Sequence, residues 1–465
     1  MKHIDGKKLI QSRAAENIAI LAVSISLIYS LISLYFCNHF FFHTEINGVN
    51  VSLKAQDAAD QKLRDFLKSY ELQLTERDCE TEKISGQDID LQYNKKTGIS
   101  EVYHTQNSLV WIGSLFKIKK YDIDNLYSYK KDLLNHEMSQ LKCLNQATTE
   151  PQNVKFIFTN GSYQAIKEID GNTIDQNELN KAVRTSIMRG KTNLDLEKSH
   201  CYKNPKYPLC SKKVYITKAL LDRYVSTNIT YKFSNQNEIL NADIINKWLE
   251  IDDDLKVNIN RTEVEEYVNK LGKKYDTVGM PKKFKTSTGK TILIEGGLYG
   301  WKIDQDAETE ALFKNIEQGE RIKKEPVYVQ KALFRGDNEI GNTYLEINIT
   351  KQHIWLYRNK ELITDGPVVT GNPNRGWSTV TGTYPLSYKQ KNATLSGPGY
   401  KTNVAYWMPF YGNIGIHDAI WRYSFGGQIY KRNGTHGCVN APFYLAKTIF
   451  DSIEVGTPII CYEES

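Results

Sequence analysis

Proline is scarce: 12 residues in a chain of 465, too few for collagen-like repetition or bulk disorder. Arginine never clusters, and a net charge of +6 is small for this length, which excludes nucleic acid as the expected partner. No second Cys or His pair has the spacing of a structural zinc site, so neither a metal nor another cofactor is expected. What remains is globular. Hydrophobic residues make up 40% and charged residues 25%, and the length suits two to four domains.

The first long apolar run also lacks something. Lys2, Lys7, Lys8 and Arg13 precede "IAILAVSISLIYSLISLYFC", Ile18–Cys37, with no small-residue cleavage site after it. The run is longer than a signal-peptide core and matches a bilayer core of about 30 Å. The expectation is a retained transmembrane helix over 18–37, a cytoplasmic N-terminus over 1–17, and an extracellular ectodomain from about residue 44. That is a single-pass protein of the cell membrane. Export permits disulfides. Cys201 and Cys210 bracket "YKNPKYPL", a turn that either pairs them or leaves two free thiols. Cys461 in "TPIICYEE" reads as a small buried residue of a final strand.

A repeat organises the middle of the chain. "IDQNELNKAVRTSIMRG" from Ile174 and "IDQDAETEALFKNIEQG" from Ile303 are offset by 303 − 174 = 129 residues. In each the Asp suits a helix N-cap and the final Gly a C-terminal stop. Leu63, Phe66, Leu67 and Tyr70 share one helical face, as do Val264, Tyr267, Val268 and Leu271, with Thr262 and Glu265 as a capping box before the latter. These signals predict two α+β modules over 45–210 and 211–335. "DDD" at 252–254 reads as a solvated turn.

From 338 to 465 the pattern changes to short alternating segments, "TYLEINI", "HIWLYRN", "PVVTGNP", "TGTYPLSY", predicting a mostly β domain. Its one clear helix is "APFYLAKTIFDSI", with Leu445 and Ile449 on one face. Immediately before it stands "NGTHGCVNAP", Asn433–Pro442. A thiol just ahead of a helix feels the positive end of its dipole, which lowers its pKa. Gly437 lets the backbone pass close to a substrate, and its N–H with that of Cys438 suits an oxyanion hole. His436 and His417 in "IGIHDAIW" are the candidate bases. Neighbours two apart in a turn rarely meet, so His417 is preferred. A zinc site of His417, His436 and Cys438 is the rival reading.

"IHDAIW" followed by "THGCVN", with "VVTG", "GPGY", "YWMPF", "FGGQIY" and "GTPIICY", resembles the L,D-transpeptidase catalytic domain, the YkuD-type fold, over about Tyr344 to Tyr462. The two upstream modules resemble peptidoglycan-binding type 4 repeats of Gram-positive cell-wall enzymes. The resemblance implies a multidomain chain ending in a β-sandwich-like domain with one helix after the nucleophile. It implies Cys438 as nucleophile, and His417 as base, oriented by the main-chain carbonyl of Asp418. His436, Gly437 and Cys438 bind the oxyanion through their backbone. Thr435 and Asn440 take the Ser/Thr and Asn places of the motif, and Tyr406, Trp407 and Met408 border the substrate groove. Val380 in "WSTVTGTY" replaces a proline common in the family.

The implied reaction is a two-step acyl transfer on peptidoglycan stem peptides through a thioester, giving 3→3 cross-links. Transfer to water would instead make an L,D-carboxypeptidase. The alternative from another class is a non-enzymatic wall-binding protein, which an intact Cys/His pair argues against. No feature sets an oligomeric state.

Overall fold

A computed structural model describes residues 6–94, 99–234, 236–336, 338–397 and 400–464. Lys2 and the Pro398–Gly399 pair of "GPGY" therefore lie outside the described residues. The chain forms two compact units, Met1–Lys155 with Ile166–Ser211, and Phe156–Ala165 with Lys212–Ser465.

The first unit opens with a helix over Gly6–Tyr35. Its stretch Arg13–Tyr35 has a mean hydropathy of 2.2 and is almost wholly unburied, so by length and composition it can cross a membrane. The helix stops short of Cys37. That cysteine, assigned by the sequence to the apolar run, sits in the turn beyond it, with Sγ 3.4 Å from Ser108 Oγ. The reason is aromatic packing: Phe36 and Phe41 fold back against Trp111, which pulls the chain off the helix axis.

The helix Gln176–Met188 buries Leu179, Val183 and Ile187, one face at helical spacing. Asp175 caps it, accepting from the Asn177 and Glu178 N–H groups at 2.9 and 3.2 Å. Tyr70 lies past the end of the helix Gln56–Lys68, yet it is buried in the same core as Leu72 and Leu74. Cys201 and Cys210 are both free thiols, one buried and one exposed. Cys201 belongs to the core with Leu194 and Tyr202, so it faces inward, away from the turn that carries its neighbour.

In the second unit the counterpart helix Gln305–Gln318 is capped by Asp304 and ended by Gly319 at φ +69. The repeat in sequence is thus a repeat in capping geometry. The helix Arg261–Tyr275 is capped by Asn260, whose side chain accepts from Glu263 N–H. Thr262 lies inside the helix, so the expected capping box is displaced by two residues. Asp252 closes the acidic turn by accepting from Asp254 and Lys256 N–H.

The C-terminal domain is two sheets around one core. Its strands are β1 (Tyr344–Asn348), β2 (His353–Arg358), β3 (Glu361–Pro367), β4 (Gly382–Pro385), β5 (Gln390–Gly397), β6 (Tyr400–Tyr411), β7 (Ile414–Asp418), β8 (Val439–Ala441) and β9 (Pro458–Tyr462). Helix α1 (Ile429–Asn433) precedes β8 and helix α2 (Phe443–Ser452) follows it. One sheet has the order β3-β2-β1-β9-β4 and the other β5-β6-β7-β8. Leu345, Ile347 and Ile354 from the first meet Met408, Phe410, Ile416 and Val439 from the second, with Leu445 and Ile449 of α2.

Cys461 is fully buried on β9, which pairs with β1 on one side and β4 on the other. This final strand in sequence is central in the sheet, because β9 returns parallel to β1. The hairpin Lys282–Lys285/Thr291–Ile294 of the preceding module covers its other face, packing Phe284 and Ile294 on Ile460 and Tyr462. Beneath that hairpin the buried Glu346 carboxylate accepts from Ser287 N–H, Ser287 Oγ and Tyr462 OH.

Candidate active site

Strand register brings the two leading residues together. β7 and β8 run parallel with Ile416 opposite Val439 and His417 opposite Asn440. Ile416 and Val439 point into the core. By the period of two, His417, Cys438 and Asn440 therefore share the other face of the sheet. The residue level with Cys438 on β7 is Gly415, which puts no side chain beside the sulfur. His417, Cys438, Asn440, Thr435 and His436 line one pocket of ≈ 220 Å³.

His417 is 5% exposed. Its Nδ1–H donates to the main-chain carbonyl of Asp418 at 2.9 Å. That bond selects the tautomer whose Nε2 carries the lone pair, as a base requires. The Asp418 carboxylate is buried as well and accepts from Tyr406 N–H at 2.8 Å, so both ends of the residue are tied. Burial pushes the His417 pKa below its ordinary value, with the Arg422 charge adding to the effect and the hydrogen bond to Asp418 opposing it. At neutral pH the imidazole is uncharged.

The turn before β8 is organised by two threonine hydroxyls. Thr435 Oγ1 accepts from Gly437 N–H at 3.0 Å and donates to Cys438 O at 2.5 Å. Thr379 Oγ1 donates to Gly437 O at 2.7 Å and accepts from Gly371 N–H at 2.9 Å. The "VVTG" segment braces the other side, exchanging two backbone bonds between Val369 and Asn440 at 2.9 Å. Gly437 has φ +121, and a Cβ there would meet Ile414 Cδ1 at 3.0 Å, so only glycine fits without strain. The loop with Val380 in place of proline is thus tied by the hydroxyl of the adjacent Thr379.

Three expectations are corrected by this geometry. First, α2 begins at Phe443, and the extended strand β8 stands between it and Cys438. At about 3.3 Å per residue the thiol is beyond the reach of a dipole that fades within the first turn. Burial instead raises the Cys438 pKa, opposed by a hydrogen bond from the Gly415 backbone. The resting pair is a neutral thiol, donating to Asn413 O at 3.4 Å, and a neutral imidazole. Second, of the expected groove residues only Trp407 is on the cysteine face, 5.9 Å from the His417 ring. Met408 is in the core and Tyr406 packs on Phe443 and Phe450, because strand neighbours alternate faces. Third, the Gly437 N–H is taken by Thr435, so in this state it holds the turn.

His436 is exposed and lies against Trp377, ring centroids 4.0 Å apart. Arg422, Trp421, Leu395, Thr402 and Gly434, none of them singled out from the sequence, complete the pocket lining. Arg422 is the pocket's guanidinium. Nη1 donates to Asn433 O at 2.9 Å, and its buried Nε has no partner among the described residues. Trp421 and Arg422 stand at and just after the end of the "IHDAIW" run, whereas Leu395 and Thr402 carry no signal in the sequence.

This is the architecture of a cell-wall acyltransferase, and comparisons with known proteins agree. Residues 342–461 match the L,D-transpeptidase catalytic domain, and residues 82–195 and 211–323 each match a putative peptidoglycan-binding domain. A solved Ldtfm–avibactam carbamoyl enzyme is 31% identical, covering 54% of this chain and 100% of its own, with a TM-score of 0.44. A mutant of the Enterococcus faecium L,D-transpeptidase is 31% identical over 52% of this chain and 98% of its own, TM-score 0.43. The E. faecium catalytic domain acylated by ertapenem is 35% identical over 26% of this chain and 97% of its own, TM-score 0.25. No curated protein sequence matches. On the sequence matches, the chain belongs to the L,D-transpeptidase family, acyltransferases that cross-link peptidoglycan by L,D-transpeptidation.

Proposed function

We propose that Cys438 is the nucleophile and His417 its general base in forming 3→3 cross-links. The observation that carries this reading is their shared sheet face and pocket, with the His417 tautomer set by Asp418 O. His417 Nε2 takes the thiol proton as Sγ attacks the carbonyl carbon of the third stem residue. The Cys438 main-chain N–H serves the oxyanion, while Thr435 keeps the Gly437 N–H and fixes the turn. Collapse breaks the C–N bond and the departing D-Ala amine takes the proton from His417, leaving a thioester. The side-chain amine of the third residue on a neighbouring stem then attacks the thioester, His417 accepts its proton and returns it to sulfur, and an amide forms. Trp407 and Asn440 wall the groove on the cysteine face. Arg422 is the counter-ion for the α-carboxylate of the leaving D-Ala, the one cationic guanidinium among the described residues that line the pocket.

Arg13–Tyr35 anchors the chain as a single membrane span with the chain from about residue 44 outside, facing the wall, and the putative peptidoglycan-binding domains tether the enzyme to its polymer. The discriminating experiment is mass spectrometry of muropeptides after incubation with the enzyme and with its Cys438→Ala variant. Dimers joined through two third residues, absent with the variant, support the reading. Tripeptides alone would make the enzyme a carboxypeptidase, and dimers from the variant would remove Cys438 from the mechanism. For the anchor, the chain should stay with membranes through an alkaline carbonate wash, and release into the wash would refute the span.

A further inference from the structure

The first unit buries a carboxylate that, among the described residues, has acids and no base acting on it. Glu76 follows the strand Glu71–Thr75 and is 5% exposed. Its Oε1 is buried with no hydrogen-bond partner among the described residues. Across the hairpin, Glu82 is held rigidly, accepting from Lys142 N–H at 2.6 Å and Cys143 N–H at 3.1 Å. Cys143 is 1% exposed and free. One ligand atom from each of Glu76, Glu82 and Cys143 lies within 4.8 Å of the others.

The surroundings add negative charge. Asp78 and Glu80 stand close enough to Glu76 to repel it. Arg77 is spent elsewhere: it pairs with Glu197 at 2.5 Å and donates to Asn204 Oδ1 and to the Asp170 and Gly171 carbonyls. A buried carboxylate without a donor is costly unless something neutralises it. Here that is a shared proton or a cation. The third convergent donor favours the cation, and its sulfur sets the kind, since a donor set including a thiol matches a borderline-soft divalent ion, whereas calcium and magnesium take oxygen sets.

We infer that Glu76, Glu82 and Cys143 form a three-ligand site for a zinc-type divalent cation. Binding replaces the thiol proton, which leaves to solvent, with a metal–sulfur bond. Glu76 supplies its free oxygen, and a fourth position stays open to water. The bond ties the hairpin to the helix Lys142–Asn145 across 143 − 76 = 67 residues of chain, a staple for the first unit.

The test uses the full chain, stripped with a chelator and titrated with Zn²⁺ alone, then with Co²⁺ to read sulfur-to-metal charge-transfer absorption. One equivalent should bind, the charge-transfer band should appear, and the melting temperature should rise. Glu76→Gln and Cys143→Ala should each weaken Zn²⁺ binding by tenfold or more and Cys143→Ala should abolish the band, while Cys79→Ala and Cys438→Ala change neither. Far-UV circular dichroism and a cooperative melting transition report that the variants are folded. Absence of binding, binding equally tight in Glu76→Gln and Cys143→Ala, or a preference for Ca²⁺ or Mg²⁺ over Zn²⁺ overturns the inference. Should Glu76 and Glu82 merely share a proton, Zn²⁺ leaves the melting temperature unchanged and Glu76→Gln is neutral or stabilising, which also overturns it.

Discussion

Thr435→Val isolates what one hydroxyl contributes to the nucleophile turn. Valine keeps the shape of threonine and deletes Oγ1, removing both the bond from Gly437 N–H and the bond to Cys438 O. Each lost bond costs about 0.5–1.5 kcal/mol net, and a buried N–H left without an acceptor adds about 1–3 kcal/mol. Thr435 is 9% exposed and Gly437 is buried, so water restores little, and the expected loss is about 2–6 kcal/mol. The same change frees Gly437 to rotate from φ +121 and moves the Cys438 backbone. Acylation should then slow on the order of tenfold or more, since small misplacements of reacting groups are expensive. Thr435→Ser keeps Oγ1 and loses one methyl group, worth under about 1 kcal/mol, and should retain most of both properties. Denaturant titration followed by tryptophan fluorescence measures the first quantity, and ertapenem acylation followed by mass spectrometry the second. If valine matches wild type in both, or serine is as damaging as valine, the hydroxyl does not organise the turn.

His417→Ala should slow thioester formation on the order of a hundredfold or more, the usual range for a lost general base, and His436→Ala should do much less; reversal of that order in the acylation assay would reassign the base. The pH profile follows from burial. The active imidazole is the deprotonated one and its pKa is lowered, so kcat/KM should hold steady down through neutrality and fall only below the about 6.5 of an exposed histidine; an acid limb centred above pH 7 contradicts this. Arg422→Gln should raise KM for a tetrapeptide donor on the order of tenfold and leave a donor with a C-terminal carboxamide unaffected, while iodoacetamide still alkylates Cys438 at the wild-type rate. Equal losses for both donors would make Arg422 a structural residue.

Much of this protein is local in the sequence. The capping aspartates Asp175 and Asp304, the Gly319 stop and the apolar run before Tyr35 act through neighbours a few residues away, so spacing alone reveals them. The place of Cys438 directly behind Gly437 is local too, whereas the link from His417 Nδ1 to the very next carbonyl was implied by the family resemblance and not by spacing. Tertiary structure decided everything that depends on which face a strand presents and on what lies across it. Tyr406 and Met408 sit beside Trp407 in sequence but face the core, because β6 alternates and only one face meets β7 and β8 at the pocket. The helix after Cys438 is legible, but the strand that separates them is set by pairing with β7; that distance removes the lowering by the dipole, and burial raises the thiol pKa. Cys201 is kept from Cys210 by its place in a core. Arg422 joins His417 and Cys438 only when the loop after β7 folds back to the pocket, and Glu76 meets Cys143 only when a hairpin and a helix 67 residues apart in chain, 143 − 76, close on each other. Contacts at that separation carry no periodic signal, because they are selected by packing between elements and not by the propensities of either one.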